Sequence, residues 1–233
     1  MSQPPQKSRW LPLESNPDVM NKFAQKLGMP KEWQYVDIYS LDLLDIVPKP
    51  VAAVLILFPI SKKYEDFCKE EQTKIKQDGQ EVSPNLMFIK QTIGNACGTI
   101  ALLHSIANNT EKMQLSGFLS NFIEKTKSMT PEERASFLES DEGLCAAHEE
   151  SAQEGQTEPP PREEHTELHF LTLVSKDGYI YEMDGRKQHP VNHGPTTDEG
   201  FLQDAAAVCQ QFMNRDKAEL RFTLIALSKN PDL

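Results

Sequence analysis

The chain has 233 residues and a formal net charge of −11 at pH 7. Nucleic-acid binding needs a basic face, so this balance excludes nucleic acid and allows a basic protein partner. The longest apolar run, residues 51–60, is too short to span a bilayer, and no secretory signal is recognisable in the polar N-terminus. We therefore expect one domain over residues 1–233 in a cytoplasmic protein without a membrane partner.

Helix signals in chain order begin with Asn16, which is expected to cap a helix that has Pro17 first and Gly28 at its end. Thr130 and Glu133 form the pattern of a capping box, which predicts a second helix start. The other helices are expected over residues 96–108, in a segment ending near His148, and from residues 196–199 through Phe212.

Strand signals separate these helices, and the apolar run from residue 51 is typical of a buried strand. The expected strands are 34–39, 51–58, 87–90, 169–175, 179–183 and 221–227. Together the elements predict an α/β fold with an antiparallel sheet between helices.

The four cysteines, Cys68, Cys97, Cys145 and Cys209, lack the spacing of a zinc site or a disulfide framework. We therefore expect reduced thiols and no metal. Cys68, Cys145 and Cys209 lie in helical patterns and are expected to be packing residues.

Cys97 differs from these three because Gly94 and Asn95, which favour turns and caps, place it in the first turn of a helix. Unpaired backbone N–H groups and the helix dipole favour a thiolate there. Gln91, six residues upstream, can place its side-chain NH₂ beside the Cys97 N–H, and two such donors stabilise an oxyanion. A buried structural cysteine is the alternative that this local pattern leaves open.

Asp177-Gly178 lies between two apolar, β-rich runs and predicts a hairpin with a two-residue loop. In that register Leu171 opposes Asp184, and His169 forms a diagonal pair with Asp184, about 7–8 Å apart at the backbone. A histidine base, an orienting carboxylate and the Cys97 thiol are the parts of a nucleophilic triad. A structural histidine is the alternative, because the hairpin alone does not bring His169 to Cys97.

Residues 149–167 contain seven glutamates and the run Pro159-Pro160-Pro161, a composition that cannot bury apolar surface and predicts a mobile loop. A loop of this length inside a compact domain is usually functional, with an inert surface loop as the alternative. Because it ends directly before His169, we expect it to leave from beside the active site.

Several motifs together resemble the ubiquitin carboxyl-terminal hydrolase family of cysteine proteases, peptidase family C12. They are KQTIGNACGT (90–99), LHF (168–170), YEMDGR (181–186) and VNHG (191–194). Two further segments, 9–14 and 154–158, are most similar to the L3-type isozyme of that family.

The resemblance implies a papain-like fold whose chain is threaded into a knot, with flexible ends at about 1–8 and 229–233. It implies Cys97 as nucleophile, His169 as general base and acid, Asp184 as its orienter and Gln91 as the oxyanion-stabilising side chain. The resemblance also identifies residues 149–167 as a crossover loop that limits the leaving group to small or flexible adducts. No cofactor is needed by this chemistry.

The implied partners are ubiquitin and the ubiquitin-like modifier of neddylation, bound by a monomer. In L3-type enzymes acidic side chains line the groove for the arginine-bearing tail of the substrate, since arginine–carboxylate pairs are bidentate and directional. The matching positions here are Glu14, Asp18, Asp37, Glu158 and Glu219. A ubiquitin-binding or reservoir module with incidental hydrolase activity is the alternative function.

Overall fold

The structure is a computed structural model that describes residues 9–164 and 166–233. The expected flexible end at 1–8 lies outside the described residues, as does His165 of the crossover loop. Six strands form one antiparallel sheet: β1 (Trp33–Asp37), β2 (Val51–Pro59), β3 (Leu168–Lys176), β4 (Tyr179–Met183), β5 (Val191–Pro195) and β6 (Thr223–Lys229). Their order across the sheet is β1-β6-β2-β3-β4-β5.

Seven α-helices of the described chain cover the two faces of this sheet. They are α1 (Pro17–Leu27), α2 (Lys62–Asp78), α3 (Cys97–Ala107), α4 (Gly117–Thr126), α5 (Pro131–Glu139), α6 (Glu142–Ala152) and α7 (Phe201–Arg215). One hydrophobic cluster contains residues of α1, α3, α4, α5 and α6, and the other contains residues of α2 and α7. The predicted α/β fold with a central antiparallel sheet is therefore confirmed, while the knot stays a prediction.

Strand β2 has a continuous apolar sequence although it belongs to an antiparallel sheet. Ala53 and Leu55 belong to one cluster, whereas Val54, Ile56 and Phe58 belong to the other. Because helices cover both faces, both sets of alternating side chains are buried.

Local signals placed several boundaries correctly. Asn16 accepts a hydrogen bond from the Asp18 N–H at 3.0 Å and Gly28 ends α1 at a φ of 114°. The Thr130–Glu133 capping box forms at the start of α5, as predicted.

Other expected elements were wrong. Residues 87–90 form no strand, because the Met87 N–H donates to Asn108 Oδ1 and the Ile89 N–H to His104 Nε2, at 2.8 and 2.9 Å. Side chains of α3 and its C-cap thus satisfy backbone groups that a neighbouring strand would otherwise pair. Strand β5 was not predicted, and α7 starts at Phe201 after Gly200 rather than within 196–199.

Candidate active site

Cys97 is the first residue of α3 and its side chain is buried, 9% exposed. All eleven residues of this helix are buried. Burial raises the pKa of the Cys97 thiol, but a hydrogen bond to His169, the charge of His169 and nearby backbone groups together outweigh burial, so that the pKa is lowered. The predicted position of Cys97 in the first helical turn is confirmed.

The start of α3 is fixed by Asn95, which adopts a positive φ of 62° that asparagine tolerates better than most residues. Its side-chain amide donates to the carbonyl oxygens of Trp10 at 3.2 Å and Glu164 at 3.4 Å. Asn95, two residues before Cys97, is therefore hydrogen-bonded both to the N-terminal segment and to the connection between α6 and β3.

His169 and Asp184 meet as the hairpin register predicts. The turn residues Asp177 and Gly178 have φ values of 49° and 82°, and Thr172 pairs with Met183. These positive φ values define the type I′ turn that matches the twist of the two strands. His169 Nε2 lies 2.8 Å from Asp184 Oδ1, and both side chains are nearly inaccessible, at 3% and 2% exposure.

This pair controls the charge of the imidazole. Burial lowers the pKa of His169, but the charge and hydrogen bond of Asp184 and the contact with Cys97 raise it to about 10. Burial raises the pKa of Asp184, and the charge of His169, its hydrogen bond and the Arg186 N–H hold it well below its usual range. These shifts favour a thiolate at Cys97 beside an imidazolium at His169.

The two ring nitrogens of His169 have separate partners. Nε2 faces Asp184, which leaves Nδ1 as the nitrogen available to Cys97. The structure thus brings Cys97 to the His169–Asp184 pair, a contact that the hairpin pattern alone did not predict.

Gln91 lies beside this group. Its backbone N–H donates to the Gly185 carbonyl oxygen at 2.9 Å, which joins it to the residue after Asp184. A Cβ on Gly185 would lie 3.0 Å from the backbone nitrogen and Cβ of Gln91, so glycine permits this close approach. The Gln91 side-chain NH₂ donates one hydrogen to the Ile93 carbonyl oxygen at 3.2 Å, which leaves its second hydrogen for an oxyanion.

A cavity of about 360 Å³ opens at Cys97. One wall is the N-terminal segment with Leu13 and Glu14, and the floor includes Phe170 of β3. Thr157 and Pro159, from the connection between α6 and β3, form its other side. A larger cavity of about 770 Å³ lies at the far turn of the hairpin and contains none of the four expected catalytic residues.

The crossover connection begins later than expected, because residues 149–152 form the last turn of α6. Beyond α6 it is held by side-chain contacts. Glu14 Oε2 accepts hydrogen bonds from the Thr157 N–H at 2.9 Å and its hydroxyl at 2.8 Å. Arg9 donates to the Glu163 carbonyl oxygen at 2.9 Å.

The five acidic positions do not form one cluster. Glu14 borders both the cavity at Cys97 and a groove of about 580 Å³ that also includes Asp18 and Asp37. Burial and the charge of Asp18 raise the pKa of Asp37, as expected for carboxylates without a nearby cation. Glu158 is exposed, and Glu219 already forms a 2.8 Å ion pair with Arg221.

Sequence reasoning missed two groups at the site. Thr157 holds Glu14, and the Tyr64 hydroxyl on α2 donates to Asp184 Oδ2 at 3.0 Å. Neither belongs to a local pattern, since Tyr64 is 120 residues from Asp184 in the chain.

In the described residues no helix is long and apolar enough to cross a membrane, and no group of three or more histidine, cysteine or acidic side chains could hold a metal ion. All four cysteines are free.

A cysteine at a helix N-terminus, facing a histidine and a carboxylate on an antiparallel sheet, defines a papain-like cysteine protease. The family model described as "Ubiquitin carboxyl-terminal hydrolase, family 1" matches residues 10–214. The chain therefore belongs to the ubiquitin carboxyl-terminal hydrolase family and is a deubiquitinating cysteine protease, as the sequence motifs predict.

Individual relatives agree with this assignment. A ubiquitin carboxyl-terminal hydrolase of Drosophila melanogaster is 48% identical over 94% of this chain and 97% of the relative. The isozyme L1 of Rattus norvegicus is 42% identical over the same shares. The crystal structure of the Trichinella spiralis UCH37 catalytic domain, bound to ubiquitin vinyl methyl ester, is similar with a TM-score of 0.75 at 22% identity. It covers 96% of this chain and 97% of that one, and supports the fold.

Proposed function

We propose that Cys97, His169, Asp184 and Gln91 carry out a two-step acyl transfer at the C-terminal glycine of ubiquitin. The Cys97 thiolate attacks the glycine carbonyl, while the Cys97 N–H and the Gln91 NH₂ stabilise the oxyanion. His169 protonates the leaving amine, and the thioester remains on Cys97. His169 then takes a proton from water, which attacks the thioester and releases the glycine carboxylate.

The observation that carries this proposal is the arrangement of His169, with Nε2 at 2.8 Å from Asp184 and its other nitrogen available to Cys97. The arrangement therefore favours a thiolate and an imidazolium before substrate binds. Each has its pKa shifted in the direction that the first step needs.

Reaction with ubiquitin that carries a C-terminal electrophile tests this assignment. We expect the protein to gain one ubiquitin by mass, and Cys97→Ala to lose labelling while still binding ubiquitin. Cys145→Ala, which removes a thiol from α6, serves as the matched control and should label normally. A wild-type protein that binds but is not labelled would support the reservoir function instead.

The acidic groove is proposed to hold the arginine-bearing tail of the modifier. Glu14 joins the groove to the Cys97 cavity, and Asp18 and Asp37 continue it away from the nucleophile. Glu158 and Glu219 are proposed as further contacts, although Arg221 must release Glu219 first. Charge reversal at Asp37 should raise KM for ubiquitin substrates with little change in kcat.

The finer proposal is an L3-type enzyme that accepts both ubiquitin and the neddylation modifier. In support, the two L3-like segments lie against each other, because Glu14 accepts from Thr157 and a Cβ on Gly155 would overlap the Glu14 carboxylate. Turnover of the two modifiers on the same fluorogenic leaving group tests this. Hydrolysis of ubiquitin alone would overturn the wider specificity.

The crossover connection is proposed to restrict the leaving group. It borders the Cys97 cavity through Thr157, Pro159, Pro160 and Thr166, so an adduct must pass beneath or around it. We expect short fluorogenic amides of ubiquitin to be cut much faster than folded ubiquitin–ubiquitin linkages. Equal rates would refute the restriction.

We further propose a monomeric, single-domain enzyme over 1–233 that acts in the cytoplasm. One continuous sheet supports a single domain, and four free cysteines fit a reducing compartment. Light scattering tests the monomer, and fractionation of cells tests the compartment.

A further inference from the structure

We propose that Tyr64 is a positioning residue of this active site, whose hydroxyl fixes the Asp184 carboxylate so that Oδ1 faces His169. The proposal rests on the proposed function, since it assigns a role within the same catalytic group. Tyr64 does not line the cavity at Cys97, and its proposed role is exercised through Asp184.

The geometry divides the two oxygens of Asp184 between different partners. Oδ1 accepts from His169 Nε2 at 2.8 Å and from the Arg186 N–H at 2.9 Å. Oδ2 accepts from the Tyr64 hydroxyl at 3.0 Å. A carboxylate held through both oxygens cannot rotate about its terminal bond without losing a hydrogen bond to a charged group.

Tyr64 is itself firmly held. Ser61 caps α2 and accepts from the Tyr64 N–H at 3.2 Å, and the Tyr64 ring packs edge-on against Phe58 at 4.8 Å between centroids. Phe58 pairs with His169 across β2 and β3. The same aromatic residue therefore sets the positions of both the tyrosine and the catalytic histidine.

The hydroxyl is suited to donation. Burial and the charges of Asp184 and Glu182 raise the pKa of Tyr64 well above its usual value, so the phenol keeps its proton throughout the working pH range. The Asp184 side chain is only 2% exposed. Water is therefore poorly placed to replace the hydroxyl if it is removed.

Other titratable and charged side chains face Asp184 or Tyr64, and all of them are retained when only this hydroxyl is removed, while Cys68 loses its hydrogen bond with that hydroxyl. They are Cys68 on α2, Lys90 before α3, Cys97 and His104 on α3, His169 on β3, Glu182 on β4, Lys187 after β4 and Arg215 on α7.

Tyr64→Phe removes the hydroxyl and keeps the ring. Without that donor Asp184 orients the His169 imidazolium less well, so the pKa of His169 should decrease. A less stable imidazolium stabilises the Cys97 thiolate less, so the pKa of Cys97 should increase. The midpoint of Cys97 alkylation by iodoacetamide should rise by about one pH unit, the effect of losing one hydrogen bond to a charged group. The pH midpoint of the alkaline limb of ubiquitin-amide hydrolysis should decrease by a similar amount.

Tyr181→Phe is the matched control, because Tyr181 is also a buried residue but its hydroxyl accepts from the Ser83 N–H at 3.1 Å, away from Asp184. Its pH limbs should coincide with those of the wild type. If the limbs of Tyr64→Phe also coincide with the wild type, the hydroxyl has a structural role only and the inference fails.

A double-mutant cycle separates positioning from general damage. In an Asp184→Asn background, Tyr64→Phe should change kcat/KM by less than about twofold, because the interaction is already lost. An undiminished effect there would overturn the inference. If Tyr64→Phe does not fold, 3-fluorotyrosine in place of Tyr64 provides a second variant, because it keeps a hydroxyl that donates more strongly. It should shift the pH limbs in the opposite direction. The absence of that shift would also overturn the inference.

The alkylation profile needs no ubiquitin, so it distinguishes two failures. If the alkylation midpoint of Tyr64→Phe is shifted from that of the wild type, but the wild type is not labelled by the ubiquitin electrophile, the proposed function is contradicted. A wild type that is labelled, with a Tyr64→Phe variant of unchanged pH limbs, contradicts only the role of Tyr64.

Discussion

The two sides of the Cys97 cavity are built differently. On one side, the β3–β4 hairpin positions His169 on β3 and Asp184 directly after β4, and both side chains are almost completely buried. On the other side, the connection between α6 and β3 is held by exposed side-chain contacts to Arg9, Glu14 and Asn95.

The hairpin side fixes the geometry of His169 and Asp184, whereas the connection controls access to Cys97. A paired strand holds a base and its carboxylate within the narrow limits that proton transfer requires. Exposed hydrogen bonds contribute little net free energy each, so the connection can open without loosening the hairpin. Substitutions on the two sides should therefore affect different kinetic steps.

The largest effect is expected on the hairpin side, from Asp184→Asn. Loss of the negative charge lowers the pKa of His169 and removes the partner that orients its ring. We expect kcat/KM for a ubiquitin amide to fall by about two to four orders of magnitude, with ubiquitin affinity unchanged. A loss of less than tenfold would show that the hairpin does not control the chemistry.

Gln91→Ala is expected to have the next largest effect, because it removes a side-chain donor without touching the triad. The loss in kcat should be about 10²- to 10³-fold, as for other oxyanion donors. Single-turnover kinetics should place the loss in acylation. Unchanged alkylation of Cys97 by iodoacetamide would serve as the control for an intact thiolate.

The pH dependence of hydrolysis follows from the same side of the cavity. The lowered pKa of Cys97 favours the thiolate, and activity should fall in acid as the thiolate is protonated. His169 loses its proton only near pH 10, so activity should fall about tenfold per unit above that pH. An alkaline limb close to pH 7 would contradict the charged pair.

The smallest effect is expected on the loop side, from Thr157→Val. This change removes the hydroxyl donor to Glu14 but keeps the backbone donor. Labelling by the ubiquitin electrophile should become about two- to tenfold faster, because the connection opens more easily. Ser140→Ala, which removes an exposed hydroxyl at the end of α5, should not change the rate. Slower labelling would mean that Thr157 helps to bind the substrate.

Sequence reasoning succeeded where one local signal fixes geometry. Asp177-Gly178 sets the register of the hairpin, and that register alone brings His169 to Asp184. The approach of His169 to Cys97 could not be derived locally, because it depends on the packing of α3 against β3. Family resemblance supplied it instead.

The errors have the same physical origin. Residues 87–90 have the composition of a strand, yet their backbone pairs with side chains of His104 and Asn108, which no pattern within the segment reveals. The acidic residues from 149 suggested a loop, but residues 149–152 complete α6, where Ser151 and Ala152 are buried. Tertiary contacts decided both outcomes.

The covering of Cys97 also bears on its survival. A thiolate at neutral pH is the form that peroxide converts to sulfenic acid, and an exposed one would be lost quickly. With 9% of its surface accessible beside Thr157 and Pro159, Cys97 is shielded from small oxidants by the same chain segment that borders the substrate path. Each opening that admits a modifier tail also admits an oxidant, so the working lifetime of the enzyme should shorten in proportion to how often this entrance opens.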